Sequence, residues 1–167
     1  MTMLKSSGGV ARSVTGATTR RLGLFADLFG AGDGPLDVQS AVMIPIVAAM
    51  LADGRVDEDE LLQIETLCAT SPIFFRNSSA ENERLIVRAT RMMEDKGAEK
   101  MCRQAAAALP PPLRETAFAH AVKMIFLDSG QTEREVIEDL AGWLGIQPDR
   151  ARTLIDVVSV LQRSERG

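Results

Sequence analysis

Ala52-Asp53-Gly54-Arg55-Val56-Asp57-Glu58-Asp59-Glu60 is one of two stretches where an apolar helical run ends in an aspartate, crosses a glycine-containing turn and restarts as a helix. The other is Leu127-Asp128-Ser129-Gly130-Gln131-Thr132-Glu133-Arg134-Glu135. In each, a glutamate follows the aspartate by seven residues: Asp53 to Glu60, and Asp128 to Glu135. A repeated helix–Asp-turn–helix unit predicts a duplicated all-α domain. It also sets four carboxylates at equivalent positions, the one constellation in the chain that suggests chemistry.

Outward from the first copy, Val42, Ile46, Ala49 and Met50 fit a helix that reaches about Ala52 and is capped by Asp37 or Ser40. Pro45 lies inside that run and removes one backbone bond, so a kink or a delayed start is expected. Leu61, Ile64, Leu67 and Cys68 make the apolar stripe of a second helix over 58–69. An irregular stretch holding Ile73, Phe74 and Phe75 follows, bounded by Ser71-Pro72 and Asn77-Ser78-Ser79. Further helices are predicted over 80–95, 98–109, 112–127 and 133–144, with a last one capped by Asp149. Pro110-Pro111-Pro112 separates the fourth from the fifth, and Gly145 stops the sixth. No stretch alternates as a strand does. The expectation is a compact bundle of about seven helices over 36–167.

Residues 1–35 read differently. Ser, Gly and Thr dominate up to Thr19, the composition of a flexible arm. Residues 19–29 then allow a short amphipathic helix, with Leu22, Phe25, Leu28 and Phe29 on one face and Arg20 and Arg21 elsewhere. The apolar stretch after Arg20-Arg21 is interrupted by Asp27 and ends at Gly30, too short and polar for an export signal. The predicted location is cytoplasmic. Two readings of the arm stand: packing on its own domain, or peripheral contact with the inner face of a membrane through 19–29.

Hydrophobic residues at 46% and charged residues at 25% place the chain among soluble globular proteins, and the absence of tyrosine favours helices over sheets. A formal charge of −4 argues against a nucleic-acid partner, which would require a basic face. The charge is uneven: residues 1–30 carry +3, so the remainder carries −7. No run reaches the ~18 apolar residues of a membrane-spanning helix. Cys68 and Cys102 lack a CxxC or a nearby histidine and read as buried thiols, with a disulfide as the lesser alternative. No nucleophile, phosphate-loop or zinc motif is present, and no enzyme is expected.

The glutamates of the repeat have a structural explanation. Asp57 with Glu60, and Thr132 with Glu135, have the spacing of capping boxes, and acidic side chains in a first turn complement the helix dipole. The aspartates are harder to explain. Asp53 and Asp128 follow carboxyl helix ends, where the dipole disfavours negative charge, although aspartate also shapes turns. Asp53-Gly54-x-Val56-Asp57-x-x-Glu60 matches the second half of an EF-hand calcium loop. The first half would need oxygen ligands at Ala49 and Leu51, so a complete EF-hand is excluded. A carboxylate site of Asp53 and Glu60 would suit a hard divalent cation: Ca²⁺, Mg²⁺ or Mn²⁺.

These Asp-(Ser)-Gly…Glu units resemble those of the TerB tellurite-resistance family, which shares its superfamily with the N-terminal domain of DnaJ-like membrane proteins. The stretch Ala108-Leu109-Pro110-Pro111-Pro112-Leu113-Arg114-Glu115-Thr116-Ala117-Phe118-Ala119 is similar to the segment before the second repeat in bacterial members. The resemblance covers about 37–163. It implies a compact helical domain with an internal pseudo-two-fold, a divalent-metal site of acidic residues, and a role in bacterial chemical stress beside another protein of a stress-response or membrane-linked complex. Carried over by motif, the metal positions are Asp53, Glu60, Asp128 and Glu135. The second copy departs from the pattern, with Ser129 in the place of Gly54.

His120, the one histidine, is expected at the core boundary, bonded to backbone or to Thr116 one turn earlier, rather than as a metal ligand. Met43, Met50, Met92, Met93, Met101 and Met124 lie at helical spacing and read as core.

Overall fold

The computed structural model describes residues 35–52, 54, 58–126 and 132–163. Seven helices and no strand occur among them: α1 (Val38–Met50), α2 (Glu58–Thr70), α3 (Ser79–Lys96), α4 (Ala98–Ala108), α5 (Pro111–Ile125), α6 (Thr132–Trp143) and α7 (Pro148–Leu161). The arm expected over 1–35, with its helix at 19–29, lies outside the described residues but for its last residue, Pro35.

The fold is built around α1. From Ala41 to Met50 its sequence contains no polar residue, and every residue from Ser40 to Met50 is buried. A helix apolar on all sides must be enclosed, and α1 packs chiefly against α5, then α4 and α3. Around this centre α3 lies on α4, α6 on α4 and α5, α7 on α5, and α2 on α5 and α3. Met43, Ile46, Val47, Phe74, Met101, Phe118, Leu140 and Leu144 are fully enclosed in the shared core. Five of the six methionines read as core are buried, and Met92 packs against their edge.

Asp37 caps α1, its Oδ1 accepting from the Ser40 amide at 2.7 Å. The helix therefore begins well before Pro45, which delays nothing. The proline sits inside α1, buried like its neighbours, and has no N–H to give the Ala41 carbonyl. The start of α1 is tied to the 71–77 turn by Gln39, whose Nε2 donates to the Ile73 carbonyl at 2.8 Å and pairs with the Asn77 amide at 3.2 Å. Because that turn follows the far end of α2, the start of α1 lies beside the end of α2.

Among the helix starts that differ from expectation, two have a local reason in the bonds around them. α3 opens at Ser79 because Ser78 and Glu81 form a reciprocal capping box: the Ser78 amide donates to Glu81 Oε2 at 2.7 Å, and the Glu81 amide to Ser78 Oγ at 3.3 Å. The Ser78 amide, and then the Ser78 hydroxyl, which donates to the same Oε2 at 2.7 Å, hold the Glu81 carboxyl below its ordinary range. Asp149 does not cap α7. Gln147 is the cap, Pro148 takes the first helical position that suits its fixed φ, and Asp149 pairs with Arg152 at 3.2 Å.

Gly145 ends α6 as expected, at φ +67°. Its amide bonds the Gly142 carbonyl at 3.2 Å and the Ile146 amide bonds Ala141 at 2.9 Å, the pair of bonds that defines a Schellman cap. Arg114 lies beside this glycine and donates through Nε to the Leu109 carbonyl at 2.9 Å. One guanidinium thus bonds the carboxyl end of α4 and lies near that of α6, where a cation complements the dipole.

Candidate functional site

The first junction begins where α1 closes. Leu51, Ala52 and Gly54 donate to the carbonyls of Val47, Ala49 and Leu51 at 2.9, 3.3 and 3.0 Å. Gly54 holds φ +75°, a left-handed conformation that a side chain would strain. Asp53, Arg55 and Asp57 lie outside the described residues. α2 then opens with Glu58, Asp59 and Glu60 in its first turn. Glu58 and Asp59 are exposed, whereas Glu60 is half-buried.

The electrostatics of this junction are one-sided. α1 carries no basic residue in its last turn, so nothing on that helix offsets the partial negative charge of its carboxyl end. From Asp53 to Glu60 the sequence has five carboxylates against one guanidinium, that of Arg55. The amino end of α2 offsets part of this charge through its dipole.

The second junction is milder. α5 carries Lys123 in its last turn, and residues 128–135 hold three carboxylates against Arg134. Asp128 and its turn lie outside the described residues. Glu135 stands exposed one turn into α6. α6 begins at Thr132, one residue earlier than expected, and the Thr132 side chain, like Asp57, falls outside the described residues, so neither expected capping box is described.

Of the four carried-over positions, Glu60 and Glu135 are thus placed and Asp53 and Asp128 are not. Among the described residues no three His, Cys, Asp or Glu side chains converge as a metal cluster would. The side-chain donors that Asp53 and Glu60 would bring are carboxylate oxygens, the right type for a hard cation. They would be completed by water, since Asp53 and Glu60 supply at most four oxygens.

His120 is corrected in its partner. Its Nε2 lies 3.2 Å from Ser71 Oγ, and Ser71 is buried in the turn after α2. Thr116, the expected partner, donates to the Pro112 carbonyl at 3.1 Å instead. Ser71 Oγ also accepts from the Ile73 amide at 3.3 Å, so the contact fastens the 71–77 turn to α5. Burial, and then Lys123, push the His120 pKa below the ordinary 6.5.

The sign of the pH effect follows. Above the unfolded value both states are neutral and the contact contributes in full. As pH falls through the folded value, the unfolded chain takes the proton first and stability is lost. His120→Gln is therefore expected to flatten the decline in unfolding free energy between pH 7 and 5 relative to wild type, measured by urea unfolding across pH. Parallel pH profiles for the two proteins would refute this.

Cys68 and Cys102 are buried free thiols. Burial raises their pKa to about 11 and about 12, which makes both poor nucleophiles at neutral pH. The open cleft of about 600 Å³ at the start of α4, lined by Lys96, Glu99, Lys100, Arg103 and Gln104, shares no residue with either acidic junction. Between helices, Arg150 grips Glu115 with two bonds of 2.9 and 2.6 Å, holding the Glu115 carboxyl below its usual range and joining α7 to α5. Among the described residues no helix is long and apolar enough to cross a membrane. In comparisons with known proteins, no family model, no curated protein and no solved structure matches the chain.

Proposed function

We propose that this chain is a non-enzymatic, TerB-like helical module that holds a divalent cation at the junction of α1 and α2, with a weaker second position between α5 and α6. The observation that carries this reading is the excess of carboxylates at the first junction, five against the one guanidinium of Arg55. α1 ends without a basic residue, α2 opens on three carboxylates, and Glu60, seven residues past Asp53, is the half-buried one. A cation there would neutralise the carboxylates and cross-link the end of α1 to the start of α2.

The packing supports a duplication. α1 and α5 are each other's main partners, α3 lies on α1 as α7 lies on α5, and the aspartate turns follow α1 and α5 in turn. By this reading the module belongs to a bacterial response to tellurite or related chemical stress. It would act beside another protein of a stress-response or membrane-linked complex, in the cytoplasm or at the inner face of the membrane. Residues 19–29 would provide any lipid contact.

A metal-free interaction module is the second reading, favoured by one feature of α2. Leu62 is 62% exposed, and Glu58, Asp59, Glu65 and Thr66 surround it at the three- and four-residue spacings of a helix surface. An apolar knob ringed by carboxylates would suit a basic partner.

Calorimetric titration of Ca²⁺, Mg²⁺ and Mn²⁺ separates the two. The metal reading expects a binding isotherm with at least one cation, weakened about tenfold or more in Asp53→Asn, in line with the loss of a charged ligand. Absence of heat at millimolar metal in the wild type would remove it and leave the interaction module.

A further inference from the structure

The C-terminal helix carries more than it needs for its own packing. Ala151, Leu154, Ile155 and Val158 turn one face of α7 toward the core. A second apolar face, Val157, Val160 and Leu161, is left in water, exposed by 53%, 53% and 77%. Isolated exposed apolar residues are ordinary, and Val38 and Phe75 are of that kind. Three at i, i+3 and i+4 on one helix form a contiguous patch, which soluble proteins keep for contacts.

The charges beside the patch indicate what covers it. Asp156 and Arg163 are both exposed, and neither has an ion pair among the described residues, although the neighbouring Arg150 and Arg152 do. They are seven residues apart, two helical turns, and so flank the patch on the same side. α7 ends at Leu161 and the chain stays turned beyond it, the Arg163 amide bonding the Val160 carbonyl at 3.3 Å. Their midpoint falls between Ser159 and Val160, inside the apolar triplet.

That arrangement is self-complementary. We propose that α7 is the interface through which two copies of this chain associate, the helices antiparallel about a two-fold axis between Ser159 and Val160. Asp156 of each copy then faces Arg163 of the partner subunit, and Val157, Val160 and Leu161 of both copies close the centre. A parallel pair would instead set Asp156 against Asp156 and Arg163 against Arg163, so charge selects the antiparallel form. A two-fold interface repeats every contact, and the one ion pair therefore counts twice. One helix face buries less than the ~1,600 Å² of a standard interface, so the dimer is weak and concentration-dependent.

Sedimentation of the full chain over about 10 µM to 1 mM, the range that brackets weak association, tests this. The wild type should rise from 18.1 kDa toward twice that mass. Asp156→Arg and Arg163→Asp, each shown folded by circular dichroism, should each weaken dimerisation at least tenfold, because like charges then face each other. An equimolar mixture of the two single variants should dimerise again, and so should the double variant Asp156→Arg/Arg163→Asp. Leu161→Ser should weaken it irrespective of charge. A wild type that stays at 18.1 kDa throughout overturns the proposal, as does a dimer indifferent to both single charge reversals or unrestored by the mixture.

Discussion

Phe118→Ala is expected to remove about 3–5 kcal/mol of unfolding free energy, the usual cost of emptying a buried aromatic site. Phe118 is fully enclosed on α5, the helix that packs most extensively on α1. Its loss opens a cavity at the centre of the bundle, and Ala117 and Ala121 on the same helix, both fully buried, have no side chain able to fill it. Against the ~5–15 kcal/mol stability of an ordinary domain this is a large fraction. Urea unfolding should show it as a lower midpoint at unchanged slope. Phe75→Ala is the control: that ring is 55% exposed, under Arg76 at 5.4 Å, and its removal should stay within about 0.5 kcal/mol. A Phe118→Ala cost below about 1 kcal/mol would contradict the packing of α5 on α1.

The second large effect is linkage between cation and fold. A ligand bound only by the folded state stabilises it by about 2.7 kcal/mol at a hundred times its dissociation constant. For a domain of this size that corresponds to a rise of about 5–10 °C in Tm. The rise should vanish with chelator and be largely lost in Asp53→Asn and Glu60→Gln. Asp128→Asn should reduce it less, because Lys123 in the last turn of α5 already tempers the second junction. Without metal, Asp53→Asn should be neutral or slightly stabilising, since it removes a negative charge from a carboxyl helix end. Equal Tm values with and without each of the three cations at millimolar concentration would sink the metal reading.

Much of the fold could be read before any coordinates. The seven helices follow from apolar residues at helical spacing, and their stops from residues with few alternatives: three consecutive prolines at 110–112, and Gly145 in a Schellman cap. The misses were local competitions. Ser78 and Glu81 have the capping-box spacing and start α3 one residue early, and Pro148 displaces Asp149 from the cap of α7. The enclosure of α1 left a visible mark, ten consecutive residues from Ala41 to Met50 with no polar side chain.

Long-range contacts left no such mark. Ser71 and His120 are 49 residues apart, and nothing in either neighbourhood announces the other. Thr116, one turn away, was the obvious partner and is satisfied by its own helix. For the candidate metal junction, the seven-residue spacing and the residue types were legible. The meeting of Asp53 with Glu60 was not, because it depends on the path of a turn that lies outside the described residues.

The enclosure of α1 also bears on how the protein is made. Its main partner, α5, ends at Ile125, 75 residues after Met50. At a synthesis rate of ~5–20 residues per second, α1 waits about 4–15 s for the surface that encloses it. During that interval its one long apolar segment has no completed core to enter. A nascent chain holding α1 without α5 is thus the form of this protein most exposed to chaperones and to aggregation.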